Sequence, residues 1–325
     1  MNITILGCGA YSLAIALQLA KQKNNKITMW TENNDTLVIF NKTHRLSKVF
    51  DIKIPNNITL TTSYEEAVKN TELIFFITSA KYLRSVCENI KPFYKDEIPI
   101  CIASKGIENK TCEMMSTIVK KTLKTKNISL ISGPTFAIDL INNEPCGLAI
   151  AGLNKNAVNI VQKTLANDTL KLRKSSDIIG IQICGSIKNI IAIAAGILKG
   201  LGYSESTQAF LINESLHDIK NIIYYLGGKK KTILSFAGIG DLLLTCTSSK
   251  SRNFSFGYTI GSTNNKNSIN SYLENNTVEG YYTLISVHEL LNKKGISIEL
   301  IDLMYDIIIN NHDPKELAKF LIKKP

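Results

Sequence analysis

The opening residues, MNITILGCGAYS, constrain this chain more than any other stretch. A short β-branched run, Asn2 to Leu6, passes through Gly7-Cys8-Gly9 into an apolar segment, Tyr11 to Lys21, which is the pattern of a strand, a glycine turn and a helix start. In a βαβ unit of that kind, Gly7 makes the tight turn and Gly9 lets a pyrophosphate approach the first N–H groups of the helix. Ser12 stands where the third glycine of the fingerprint is expected. That position sets how closely the helix packs on the strand, and serine is small enough to substitute there. A second strand, Lys26 to Trp30, leads to Glu32. It lies about 20 residues beyond the glycine turn, where an acidic side chain accepts hydrogen bonds from the ribose hydroxyls of a dinucleotide.

At 325 residues the chain exceeds what one core usually holds, so two domains are expected, 1–180 and 181–325. Apolar residues make up 44% and charged residues 20%, the balance of a soluble globular protein. The net charge of +11 does not read as a nucleic-acid site, because the lysines are scattered and never interleaved with a stacking series of aromatics. It describes a surface hospitable to phosphates. Seven cysteines, odd in number and without a C-x-x-C pair, indicate reduced thiols and a cytoplasmic setting. The apolar N-terminus lacks a basic leader and is broken by the glycine turn, unlike a signal peptide. Ile178 to Leu201 is the other long apolar run, and Gln182, Lys188 and Asn189 within it point to a buried helix without stable membrane insertion.

Strand and helix signals alternate through the first half. Helices are expected at Glu65 to Lys69, Tyr82 to Ile90, Thr111 to Leu123 and Lys155 to Ala166. Strands are expected at Leu73 to Thr78, Ile98 to Ala103, Ser129 to Ser132, Gly147 to Ala151 and Leu170 to Arg173. This alternation predicts an α/β domain, a Rossmann-type doubly wound parallel sheet covered on both faces, with its ligand crevice at the carboxyl ends of the strands. Beyond about residue 180 only helical periodicity remains, so the C-terminal domain is expected to be all-helical, with Ser262 to Asn270 as a surface loop.

Several residues carry chemistry in their placement. The strand ends Thr78-Ser79-Ala80, Ser104-Lys105-Gly106 and Ser132-Gly133-Pro134-Thr135 are small or polar, suited either to a phosphate-bearing substrate or to ordinary turns. Lys188, inside GSIKNIIAIAAGI, sets an ammonium on an apolar helix, where desolvation lowers its pKa toward the range of proton transfer. The alternative is a lysine that snorkels to solvent. Asp241, in Gly238-Ile239-Gly240-Asp241, could orient that group or cap its helix. Arg252, in Ser251-Arg252-Asn253, has the fork geometry for a phosphate. Nothing in the pattern requires a metal.

The collinear set SKGIE (104–108), SGPTFA (132–137), GSIKNIIAIAAG (185–196), GIGDLLLTCTSSKSRN (238–253) and VEGY (278–281) closely resembles the bacterial-type NAD(P)-dependent glycerol-3-phosphate dehydrogenases. The resemblance implies reversible hydride transfer between NAD(P)H and dihydroxyacetone phosphate, giving sn-glycerol 3-phosphate for phospholipid synthesis. It implies Lys188 as proton acceptor and donor, with Asp241 beside it. Substrate contacts fall on Lys105, Gly133, Thr135, Asp241, Ser251, Arg252 and Asn253. Cofactor contacts fall on Ala10, Tyr11, Lys105, Ala137, Arg252, Thr277 and Glu279, in addition to Gly7, Gly9 and Glu32. The chain departs from the family at Ala10, usually serine, at Ser12, usually glycine, and at Glu32, often basic or histidine. Glu32 favours NAD over NADP, although Lys48 and Lys53 could fold back to meet a 2′-phosphate. Small molecules are the expected partners, without nucleic acid, and a homodimer is left open. A dehydrogenase for a 3-hydroxy acid would share the lysine but need no Ser-Arg-Asn run. A nucleotide sensor would keep Gly7 and Gly9 without Lys188 and Asp241 together.

Overall fold

The computed structural model describes residues 1–46, 50–263 and 265–324; Lys48 lies outside them. The chain divides into two compact units, Met1–Ser104 with Met115–Ile178, and Lys105–Met114 with Ile179–Pro325.

In the first unit the strands are β1 (Asn2–Leu6), β2 (Lys26–Trp30), β3 (Arg45–Leu46), β4 (Phe50–Lys53), β5 (Ile58–Thr61), β6 (Leu73–Phe76), β7 (Ile100–Ile102), β8 (Ile128–Ser132), β9 (Cys146–Gly152) and β10 (Leu170–Lys174). The helices are α1 (Ala10–Ala20), α2 (Asn34–Thr43), α3 (Tyr64–Val68), α4 (Leu83–Ile90), α5 (Met115–Leu123), α6 (Ala137–Ile141) and α7 (Lys155–Leu165). Eight strands form one sheet in the order β10-β9-β8-β7-β6-β1-β2-β5, and β3 pairs with β4 in a separate ribbon. The reversal of strand order on either side of β1 is the doubly wound arrangement expected from the sequence.

The sheet is parallel from β5 to β8, then reverses: β9 runs antiparallel to β8, with Ser132 opposite Ala149, and β10 is parallel to β9. The connection is residues 133–145, and its one helix, the five-residue α6, packs on α1. The sequence reading, which took every alternation as parallel, did not see this reversal. It also passed over the ten-residue α2 and the shorter α6, β5 and β3–β4 ribbon.

The core explains why these segments form a sheet at all. β1, β6 and β7 are buried along almost their whole length, as central parallel strands covered on both faces must be. Ile3, Ile5, Leu13, Ile15, Leu19 and Phe75 belong to one continuous buried cluster. Polar groups inside it are satisfied: Gln18 donates to the Leu140 carbonyl at 2.5 Å and Asn25 to the Leu19 carbonyl at 2.9 Å.

The second unit is helical: α8 (Ile178–Gly200), α9 (Glu205–Tyr225), α10 (Asp241–Cys246), α11 (Arg252–Thr263), α12 (Lys266–Asn275), α13 (Glu279–Lys293), α14 (Glu299–Ile308) and α15 (Glu316–Lys323). The expected loop at Ser262 to Asn270 is instead the junction of two helices. Asn265 caps α12 by accepting from the Asn267 N–H at 2.9 Å, so this asparagine is a capping residue rather than a loop former. α15 carries no signal singled out in the sequence.

α8 is long and apolar enough to cross a membrane by length and composition, yet nearly all of it is buried in the protein. It meets α11 backbone to backbone. A Cβ on Gly196 would fall 2.0 Å from the Phe254 carbonyl oxygen, and one on Gly257 would fall 1.9 Å from that of Ile193. Only glycine permits this approach.

Candidate active site

In the first unit the glycine turn has the geometry its sequence implies. Gly7 adopts φ +134°, and a Cβ there would meet the Ile77 carbonyl oxygen at 2.5 Å, so both conformation and space demand glycine. A Cβ on Gly9 would meet nothing within 4 Å: the space over the start of α1 is open. Gly9 also offers no side-chain cap, leaving the first N–H groups of α1 for a ligand. Ser12 is buried, and its hydroxyl donates to the Ile77 carbonyl at 3.2 Å. The residue in the third-glycine position thus stitches α1 to the strand end instead of merely fitting against it.

Other expected cofactor contacts of this unit lie around the same strand ends. Ala10 is exposed, and the Tyr11 hydroxyl is 3.0 Å from Thr135 Oγ1. Gly133 is buried, and a Cβ there would fall 2.7 Å from the Gly147 carbonyl oxygen, so packing alone accounts for this glycine. Ala137 opens α6. Glu32 is exposed just past the end of β2, beside the stacked rings of Trp30 and Tyr64, whose centroids are 4.3 Å apart. These features fit a dinucleotide, with an open phosphate cradle at Gly9 and an acidic group at the ribose position.

In the second unit three charged residues converge. Lys188 on α8 donates to Asp241 Oδ1 at 2.6 Å and to Thr245 Oγ1 at 2.9 Å, while Lys105 donates to Asp241 Oδ2 at 2.8 Å. One carboxylate therefore holds two ammonium groups, one through each oxygen. Thr245 passes its own proton back to the Asp241 carbonyl at 2.6 Å, one turn along α10. Its hydroxyl thus accepts from Lys188 in a fixed direction.

The local fold explains this placement. Ser235 caps a turn by accepting from the Gly238 N–H at 3.3 Å, and Gly238 breaks the helical path at ψ −110°, aiming the chain so that α10 starts on Asp241. Lys188 stays inside instead of snorkelling, at 8% exposure. Burial drives its pKa down to about 8, although the adjacent Asp241 charge pulls upward and Lys105 adds to the depression.

The Ser251-Arg252-Asn253 run divides into three roles. Ser251 accepts from the Phe254 N–H at 3.3 Å and so caps α11, and Asn253 accepts from the Gly280 N–H at 2.9 Å, bracing the start of α13. Arg252 is exposed at the first position of α11. Glu279 opens α13, with its carboxyl raised by burial against the pull of Arg252, Lys105 and Lys188; Thr277 lies exposed just before it. Thr245 escaped the sequence reading, although its spacing of four residues from Asp241 on a helix was the available signal.

Comparison with known proteins gives a consistent result. Residues 2–158 match the model of the NAD-dependent glycerol-3-phosphate dehydrogenase N-terminus, and residues 177–319 that of the C-terminus. A glycerol-3-phosphate dehydrogenase [NAD(P)+] of Clostridium botulinum is 32% identical, covering 97% of this chain and 94% of its own. One from Staphylococcus aureus is 31% identical over 99% of this chain and 98% of its own. The crystal structure of glycerol-3-phosphate dehydrogenase from Coxiella burnetii superposes with a TM-score of 0.93 at 27% identity, covering 99% of both chains.

Proposed function

The chain belongs to the NAD-dependent glycerol-3-phosphate dehydrogenase family, and from that premise we propose that Lys188 is its acid–base group and Asp241 the residue that holds it. The reaction is reversible hydride transfer between NAD(P)H and dihydroxyacetone phosphate, giving sn-glycerol 3-phosphate for lipid metabolism. The observation that carries the residue roles is the buried Lys188 ammonium fixed by Asp241 at 2.6 Å and Thr245 at 2.9 Å.

When bound, the nicotinamide supplies or accepts the hydride. As the carbonyl oxygen of the ketone gains negative charge, Lys188 gives it a proton; in the oxidative direction the neutral amine takes the hydroxyl proton. A pKa near 8 suits both directions, because neither protonation state is costly to reach near neutrality. Asp241 and Thr245 hold the ammonium so that one N–H remains to face the substrate oxygen. Lys105, on the other carboxylate oxygen, keeps Asp241 oriented and brings a second positive charge toward the substrate.

Arg252 binds the phosphate, where its guanidinium joins the N-terminal amides of α11. Ser251 and Asn253 act by shaping that corner; Thr135 is a further substrate contact that the resemblance adds, while Gly133 is explained by packing. Gly7, Gly9, Ala10, Tyr11, Glu32 and Ala137 are the dinucleotide contacts of the first unit; Lys105, Arg252, Thr277 and Glu279 are cofactor contacts that the family resemblance adds. Glu32 selects NAD over NADP. The free thiols support a cytoplasmic enzyme.

Lys188→Ala tests the central assignment. We expect turnover to fall by about 10² to 10⁴ while NADH binding, followed by fluorescence, is unchanged. A folded variant that keeps more than about a tenth of wild-type kcat would refute the role.

A further inference from the structure

The corner between α9 and the turn that follows it has no part in the reaction described above. From Ile219 to Gly240 the chain holds Lys220, Lys229, Lys230 and Lys231 and no acidic residue. Apolar side chains stand out of the same stretch: Leu234 is 77% exposed, Tyr224 58% and Tyr225 53%. Leu234 stands further into solvent than almost any other large apolar side chain among the described residues.

These groups are assembled in space. Residues Lys230–Leu234 form a single 3₁₀ turn packed against α9, and the Lys230 ammonium sits 4.4 Å over the Tyr224 ring. With three residues per turn, Lys231 and Leu234 share a face. Thr232 and Ile233, between them, are buried and anchor the turn. The result is a rigid ledge with an aliphatic tip and two tyrosines framed by ammonium groups.

We propose that this ledge docks the enzyme reversibly on an anionic lipid surface. Lysine ammonium groups meet headgroup phosphates, while Leu234 and the amphipathic tyrosines enter the boundary between headgroup and acyl chain. Single-stranded nucleic acid fits less well, because base stacking needs an open aromatic face and Lys230 covers that of Tyr224. Leu234, moreover, gains nothing from a phosphodiester chain. The inference rests on the surface rather than on the assigned residue roles. The reaction gives it a use: sn-glycerol 3-phosphate carries two free hydroxyls, and the acylation that turns them into lipid must follow at a membrane.

Co-sedimentation of the full chain with phosphatidylglycerol-containing vesicles, against phosphatidylcholine alone, tests the idea. Binding is expected on the anionic vesicles only, with loss at high salt. Lys230→Glu with Lys231→Glu should cut the bound fraction by about tenfold or more, and Leu234→Ser alone should cut it several-fold. Both should keep normal turnover in the absence of vesicles. Lys91→Glu with Lys95→Glu, on the first unit, makes the same change of net charge and should leave binding intact. Absence of binding to anionic vesicles, equal losses in the two double variants, or undiminished binding by Leu234→Ser would overturn the proposal. So would preferential binding of a single-stranded oligonucleotide that displaces the vesicles, or a solution dimer that protects Leu234 from solvent. If the charge-reversed variant does not fold, Leu234→Ser decides alone.

Discussion

Lys188 and Asp241 lie 53 residues apart in the chain and meet at 2.6 Å, both nearly closed to solvent. The pair is strained between two tendencies. Burial favours a neutral amine, and the carboxylate favours an ammonium. That balance leaves the proton exchangeable near physiological pH, and it makes the pH dependence of each direction a direct readout.

With Lys188 titrating near 8, dihydroxyacetone phosphate reduction needs the ammonium and should decline as pH rises through about 8. Glycerol 3-phosphate oxidation needs the amine and should decline as pH falls through the same value. Asp241→Asn removes the carboxylate that supports the charged form, so both limbs should move to lower pH, with a large loss of kcat. Profiles of kcat/KM in both directions decide this; limbs that do not move in Asp241→Asn would detach the carboxylate from the base.

Arg252→Leu should raise the KM for dihydroxyacetone phosphate by about ten- to a hundredfold, the worth of a hydrogen bond to a charged group. Some loss of kcat is expected as well, because phosphate binding positions the reacting carbon. Unchanged kinetics with the phosphorylated substrate would remove Arg252 from the phosphate site.

Gly7→Ala places a methyl 2.5 Å from the Ile77 carbonyl oxygen in a conformation that alanine resists. The expected cost is about 1–3 kcal/mol of stability together with weakened NADH binding. Scanning calorimetry and fluorescence titration measure the two separately. Gly9→Ala, with open space around it, should keep the melting temperature and lose affinity alone.

Glu32→Arg should shift the ratio of kcat/KM for NADH and NADPH toward NADPH, since a guanidinium pairs with the 2′-phosphate that a carboxylate repels. The wild type should prefer NADH. A wild-type preference for NADPH would mean that Glu32 turns away from the ribose. Lys53 lies on β4 and is exposed.

How much of this could be read from the residues alone depended on how local each signal was. The strand, turn and helix at Gly7 announce themselves within a dozen residues, and Lys188 stands out because an ammonium inside an apolar helix has few explanations. β5 sits at the sheet edge and alternates apolar residues with threonines, so it lacks the unbroken apolar run of β6, a strand of the same length. The β8–β9 reversal is a matter of pairing between strands, which neither strand's own residues announce. Lys105 stood out as a cation at a strand end, but its bond to Asp241, 136 residues onward, did not. No window on a sequence spans that distance. Thr245 was hidden differently: a threonine on a helix usually bonds its own backbone, as this one does, and its one local mark, the four-residue spacing from Asp241, does not point to Lys188.

The glycine contact between α8 and α11 acts as a fixed gauge for the chemistry. Lys188 rides on one helix and Arg252 begins the other, and their spacing is set where peptide backbone touches peptide backbone at Gly196 and Gly257. The ruler is main chain: a methyl added at either glycine would overlap a carbonyl oxygen of the facing helix and drive the two helices apart.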